Sequence, residues 1–179
     1  MRRMWVLAAA MLAMQVAPAA AADVATLGCA SSEMSEPDRE LFRDMARRIG
    51  RGEQVSQTDK TRAILLKAST ACQKRYGWTD AARDASSTYT MSALGIAGIE
   101  VDLARQGIKL ADVVDSYRAL SPADRAGLTQ LSDASLDKLF AQFASRGIPL
   151  DSAERAKMLG ALVSLIAHRD ESEAKFAAS

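Results

Sequence analysis

Residues 79–106 read as one long helix with small or apolar residues along two seams. The first seam is Ala82, Ala85, Tyr89, Ser92, Ile96, Ile99 and Leu103, at alternating spacings of three and four. The second is Met91, Leu94, Gly98 and Val101. A helix with one apolar stripe lies on a surface, whereas two stripes call for neighbours on both sides. Gly95 and Gly98 each cost a helix interior about 1 kcal/mol relative to Ala. Such residues persist where a neighbouring backbone must come close. The expected fold is therefore a single all-α domain of about six or seven helices, built around this one.

The flanking segments supply the partners. A helix is expected from about Glu36, capped by Ser35, with Pro37 tolerated in a first turn where a missing N–H costs nothing. Leu41, Phe42, Met45 and Ile49 form its expected buried face, and Gly50 and Gly52 end it. The next helix spans about residues 58–76, with Ile64, Leu65, Ala68, Ala71 and Cys72 as its apolar stripe. Gly77 suits the left-handed stop, and Thr79 caps the central helix.

Beyond Leu103, Gly107-Ile108 turns the chain, and Val113, Val114, Tyr117 and Leu120 mark a short helix. Ser121, Pro122 and Asp124 restart the chain with a cap, a first-turn proline and an acid at the positive helix end; this helix is expected to stop near Leu131. The next carries Leu136, Leu139, Phe140 and Phe143, and Gly147-Ile148 repeats the earlier turn. In both turns the Ile can fold back over the preceding helix end. The last helix begins at Asp151 or Ser152 and buries Met158, Leu159, Leu162, Val163, Leu165 and Ile166. Its polar end from Glu171 is expected to fray. Nowhere do β-branched and polar residues alternate as in a strand.

Residues 1–22 resemble a secretory leader rather than part of the fold. Arg2 and Arg3 precede an apolar run over residues 5–16, and Ala20, Ala21 and Ala22 supply the small residues of a cleavage site. Cleavage is expected between Ala22 and Asp23, leaving a lead of residues 23–35 tied down by Cys29 and a helical domain of residues 36–179. Loss of the two arginines takes the formal charge from +1 to −1. Without a basic block, nucleic acid is not an expected partner. The expected location is periplasmic or secreted, with no membrane-spanning segment in the processed chain. In that compartment an even pair of cysteines is expected to bridge, Cys29 to Cys72. The rival reading is a lipoprotein anchored through Cys29, but Thr26 stands where its signal wants Leu.

The residue set leaves little catalytic chemistry. His168 is the sole histidine, and a zinc site needs three or four His, Cys or carboxylate ligands. No metal or cofactor is expected, and there is no Gly-x-Ser-x-Gly elbow, phosphate loop or dinucleotide fingerprint. Two Ser-x-x-Lys matches, Ser135 with Lys138 and Ser172 with Lys175, lack the companion motifs of serine–lysine enzymes. Glu100 and Asp102 point to different helix faces, and Asp112 and Asp115 suit capping and the helix dipole.

The local feature that stands out is the corner at residues 72–78. Arg75, Tyr76 and Trp78 surround Gly77, and Tyr89 lies on the adjoining helix. Tyr, Trp and Arg are the residue types that anchor binding surfaces; Trp78 also suits a structural role over the bridge and the start of the central helix. These four are the candidate ligand- or partner-binding residues. The expected function is a non-enzymatic module that binds an envelope protein or a small ligand. An enzyme of unrecognised type and a lipid-anchored envelope structural protein are the alternatives.

Overall fold

A computed structural model describes residues 21–130 and 132–179. The expected leader falls on residues 1–22, nearly all outside the described residues, and Leu131, near which the helix from Pro122 is expected to stop, also lies outside them; that helix ends at Thr129. After a 3-10 turn at Val24–Thr26, the described helices are α1 (Cys29–Ser32), α2 (Glu36–Gly50), α3 (Asp59–Tyr76), α4 (Asp80–Arg105), α5 (Leu110–Arg118), α6 (Pro122–Thr129), α7 (Asp133–Ser145) and α8 (Ala153–Ala177). The fold is all-α, as expected. The helix beyond the expected count is α1, one turn inside the lead.

Local chemistry sets most of the boundaries. Ser35, Thr58, Thr79, Ser121 and Ser152 each cap a helix by accepting a backbone N–H three residues on. Gly77 ends α3 in the left-handed conformation, φ 68°. The two Gly-Ile turns are the same device: Gly107 and Gly147 both have positive φ. Ile108 and Ile148 donate their N–H to Leu103 and Phe143 at 3.0 and 2.9 Å. Both isoleucines are buried in the same core as the helix ends they cover.

That core is one of two. It gathers Ile96, Ile99 and Leu103 of α4 with residues of α5, α6, α7 and the first half of α8. The other gathers Leu27, Cys29, Ala30 and Met34 of the lead with Phe42, Leu65, Cys72, Trp78, the start of α4, and Phe176 near the end of α8. α4 runs through both, antiparallel to α8. Gln106 at its end meets Met158 and Arg155, while Ala85 at its start shares a core with Phe176.

The first seam of α4 is buried as expected, with Tyr89 half-buried. The second seam is narrower than the sequence pattern implies. Leu94 and Gly98 are buried, but Met91 and Val101 are exposed. The face is instead closed by Gly95 and Gly98, against which α2 crosses. A Cβ on Gly98 would stand 2.8 Å from the Arg43 Cα and closer still to its carbonyl oxygen. A Cβ on Gly95 would meet Leu165 Cδ1 at 2.9 Å and Ala46 Cβ at 3.4 Å. Because α2 approaches this closely, its buried face is Phe42, Ala46 and Gly50, and Ile49 turns outward. Phe140 is likewise exposed on α7 rather than buried.

The last helix corrects a further expectation. It does not fray from Glu171 but runs to Ala177, with Ser172 and Phe176 buried. Along the outside of α2, arginines and acids alternate in a ladder. Arg43 bridges Glu36 and Glu40, Arg47 reaches Glu40 and Asp44, and Arg51 spans Glu53 and Asp102.

Candidate functional site

The corner after α3 is built by the left-handed Gly77, which turns the chain so that Trp78 enters the second core just before the α4 cap. Cys72, upstream on α3, is buried in the same core as Trp78 and bridges to Cys29, Cα to Cα 6.0 Å. The bridge closes a sequence separation of 43 residues, a constraint on the unfolded chain of about 4 kcal/mol in the loop-entropy account. In the bridged chain the Cys29 sulfur is no longer available to carry a lipid.

Other contacts hold the lead beside the bridge. Trp78 Nε1 donates to Thr26 Oγ1 at 3.1 Å, and Thr26 Oγ1 donates to the Asp23 carbonyl at 2.6 Å. Ser86 Oγ donates to the Leu27 carbonyl at 3.3 Å. Arg75 pairs with Glu33 at 2.7 Å and lies 3.9 Å from Cys29 Sγ. Its pKa is raised above the usual arginine value, first by the hydrogen bond to Glu33.

The four candidate residues thus separate into distinct roles. Trp78 is 7% exposed and is held by the Thr26 hydrogen bond and an edge-to-face contact with Phe176. Tyr76 is 47% exposed and stacks on Trp78, centroids 5.8 Å apart. Arg75 clamps α3 to the lead. Tyr89 is half-buried against the second core. Only Tyr76 and Trp78 share a recess, which has a volume of about 390 Å³. Its remaining walls include Asp23, Thr26, Thr79 and Ser179, along with Ala21 and Ala22. Sequence reasoning missed Asp23, Thr26 and Ser179 as walls of the recess because they come from the lead and from just past the far end of α8. The only signal for the latter was a single Phe in an otherwise polar segment.

The recess offers an aromatic face and a few fixed polar atoms. The Asp23 carboxylate accepts from the Ala25 N–H at 3.0 Å, and Thr26 Oγ1 accepts from Trp78 Nε1 at 3.1 Å; the Ala22 N–H, which donates to the Ser179 carbonyl at 3.2 Å, belongs to the expected leader. This arrangement can stack a planar or apolar group and orient it with hydrogen bonds.

The other sequence candidates lie elsewhere. His168 is half-exposed on α8, its Nδ1 3.8 Å from Glu171, which also holds Lys175 at 2.8 Å. Ser135 and Ser172 are buried, and the lysines of both Ser-x-x-Lys matches are in ion pairs, Lys138 with Asp124 at 2.6 Å and Lys175 with Glu171. Among the described residues no three His, Cys, Asp or Glu side chains come together as metal ligands. None of the described helices is long and apolar enough to cross a membrane.

No protein-family model matches the chain, and comparison with curated proteins and with solved structures likewise returns no match. The functional reading therefore rests on the geometry.

Proposed function

We propose that the protein is an exported, non-enzymatic helical module of the cell envelope, processed between Ala22 and Asp23, that holds a protein partner or small ligand in the aromatic recess that Thr26, Tyr76, Trp78, Thr79 and Ser179 still line once Ala21 and Ala22 are removed. The observation that carries this reading is the pairing of an exposed ring with an immobile one. Tyr76 presents its face at the recess while Trp78 beneath it is pinned on three sides. An aromatic ring already ordered before binding loses little freedom when a ligand stacks on it. The bridge favours an oxidising compartment, where such bonds form and persist. The leader pattern is the independent support for export.

Replacing Tyr76 tests the reading without disturbing the core. Wild-type protein and Tyr76→Ala would be recovered from the envelope fraction under native conditions and compared by native mass spectrometry and affinity capture. The expected result is a bound ligand or partner on the wild type that is lost from Tyr76→Ala, with the melting temperature nearly unchanged. Equal occupancy of both proteins would overturn the assignment of the recess.

A further inference from the structure

A second recess, of about 360 Å³, lies where α5, α6 and α8 meet, and Tyr117, Arg125, Gln130 and Glu171 are among its walls. Tyr117 is 3% exposed. The residue lines the recess, and its hydroxyl makes no hydrogen bond to another described residue. Burial pushes the hydroxyl above the usual tyrosine range; the charge of Asp170 adds to this, and Arg125 and Arg169 oppose it. It is therefore a protonated donor at neutral pH.

Arg125 stands over the same ring, its guanidinium carbon 5.9 Å from the centroid. One of its nitrogens, Nη1, donates to the Arg118 carbonyl at 3.2 Å. Its other donors have no acceptor among the described residues. The nearby carboxylates are already engaged: Asp170 with Arg169 at 3.1 Å, and Glu171 with Lys175 at 2.8 Å and His168 at 3.8 Å. The uncommitted groups facing the recess are thus the Tyr117 hydroxyl, the free donors of Arg125 with one positive charge, and the Gln130 amide, which can donate or accept. Ala126 and Ala167 supply a small apolar wall.

A planar monoanion matches this set. A carboxylate can take two parallel N–H donors from one guanidinium edge and still accept from a hydroxyl. A dianionic phosphate would find a single free cation and a carboxylate, Glu171, at the rim. We propose that this recess binds a carboxylate, held by the free donors of Arg125 and by the O–H of Tyr117, with its alkyl stem against Ala126 and Ala167. A small free acid and the C-terminus of a peptide share that chemistry.

Titration of the oxidised protein at constant ionic strength, followed by amide chemical shifts, tests the proposal. The probes are acetate, inorganic phosphate, ethylammonium, and N-acetyl-dialanine as its acid and its amide. Saturable shifts around Tyr117 and Arg125 are expected with acetate and not with ethylammonium, with phosphate binding more weakly than acetate. Affinity should fall about tenfold or more in Tyr117→Phe, which keeps the ring, and in Arg125→Gln, as for lost hydrogen bonds to a charged group. Tighter binding of the dipeptide acid than of acetate assigns a peptide terminus; equal binding assigns a free acid. No saturable shift with either acid, tighter binding of phosphate or of the amide, or undiminished affinity in both variants would overturn the proposal.

Discussion

Trp78 and Phe176 meet edge to face, ring centroids 5.0 Å apart and planes at 89°. Phe176 is fully buried, so the end of α8 is an anchor of the aromatic corner. Truncating a buried aromatic removes its transfer free energy and leaves a cavity. Phe176→Ala and Trp78→Ala should each cost about 3–5 kcal/mol in denaturant unfolding. A cost below about 1 kcal/mol for Phe176→Ala would mean that α8 ends before it, since exposed substitutions rarely exceed that.

Gly98, at the close crossing of α2 over α4, and Gly160, in open space on α8, should respond oppositely to an added side chain. At Gly98 any Cβ meets the Arg43 backbone, which cannot rotate away. Gly98→Ala should therefore destabilise by about 1–3 kcal/mol, and Gly98→Leu by more, despite the better helix propensity. Gly160 lies inside α8 with nothing within 4 Å of its added Cβ. Gly160→Ala should stabilise by about 0.5–1 kcal/mol. Thermal melts of the pair check both signs, and a stabilising Gly98→Ala would contradict the crossing.

Two buried hydroxyls on α4, those of Thr90 and Ser92, lack a partner among the described residues. Burying an unpaired hydroxyl costs about 1–3 kcal/mol. Thr90→Val keeps the β-branched shape and removes that cost, so it should raise stability by about 1 kcal/mol. A loss of similar size in urea unfolding would show that the hydroxyl is satisfied.

The α2 ladder sets an acid response. Hydrogen bonds from Arg43 and Arg39 hold Glu36 below its usual pKa, those from Arg47 and Arg43 do the same for Glu40, and those from Arg48 and Arg51 for Glu53. Carboxylates with a depressed folded pKa contribute stability above the unfolded value, about 4.3. That stability is lost as pH falls through the folded values. The melting temperature should hold from neutral pH to about 5 and decline below about 4. The decline should be shallower in Arg43→Met/Arg47→Met and in high salt, because these pairs are exposed. An equally steep decline in the double variant would remove the ladder as its cause.

The features that follow from local chemistry were legible in the sequence. The caps at Ser35, Thr79 and Ser121, the Gly77 stop, the paired Gly-Ile turns and the first seam of α4 depend on neighbours within a turn or two. The second seam was not, because periodicity reports phase but not how closely a neighbour approaches. Gly98 brings the α2 backbone so near that Met91 and Val101 fall outside the contact. Ile49 turns outward with the same close approach. The corner was legible in part: Tyr76 and Trp78 are brought together, while Arg75 acts as a clamp and Tyr89 packs apart from the recess. Thr26, Phe176 and Ser179 reach the corner only through tertiary folding, and the one mark in their sequence neighbourhood is Phe176 itself, a single Phe in an otherwise polar segment.

The central claim is that this is an exported domain stapled by Cys29 and Cys72. Intact mass of the chain recovered from the envelope fraction, measured before and after reduction, tests it most directly. The account predicts a chain beginning at Asp23, without lipid, that gains two hydrogens on reduction. A chain beginning at a lipidated Cys29, or one that still carries the leader or shows free thiols before reduction, would contradict it.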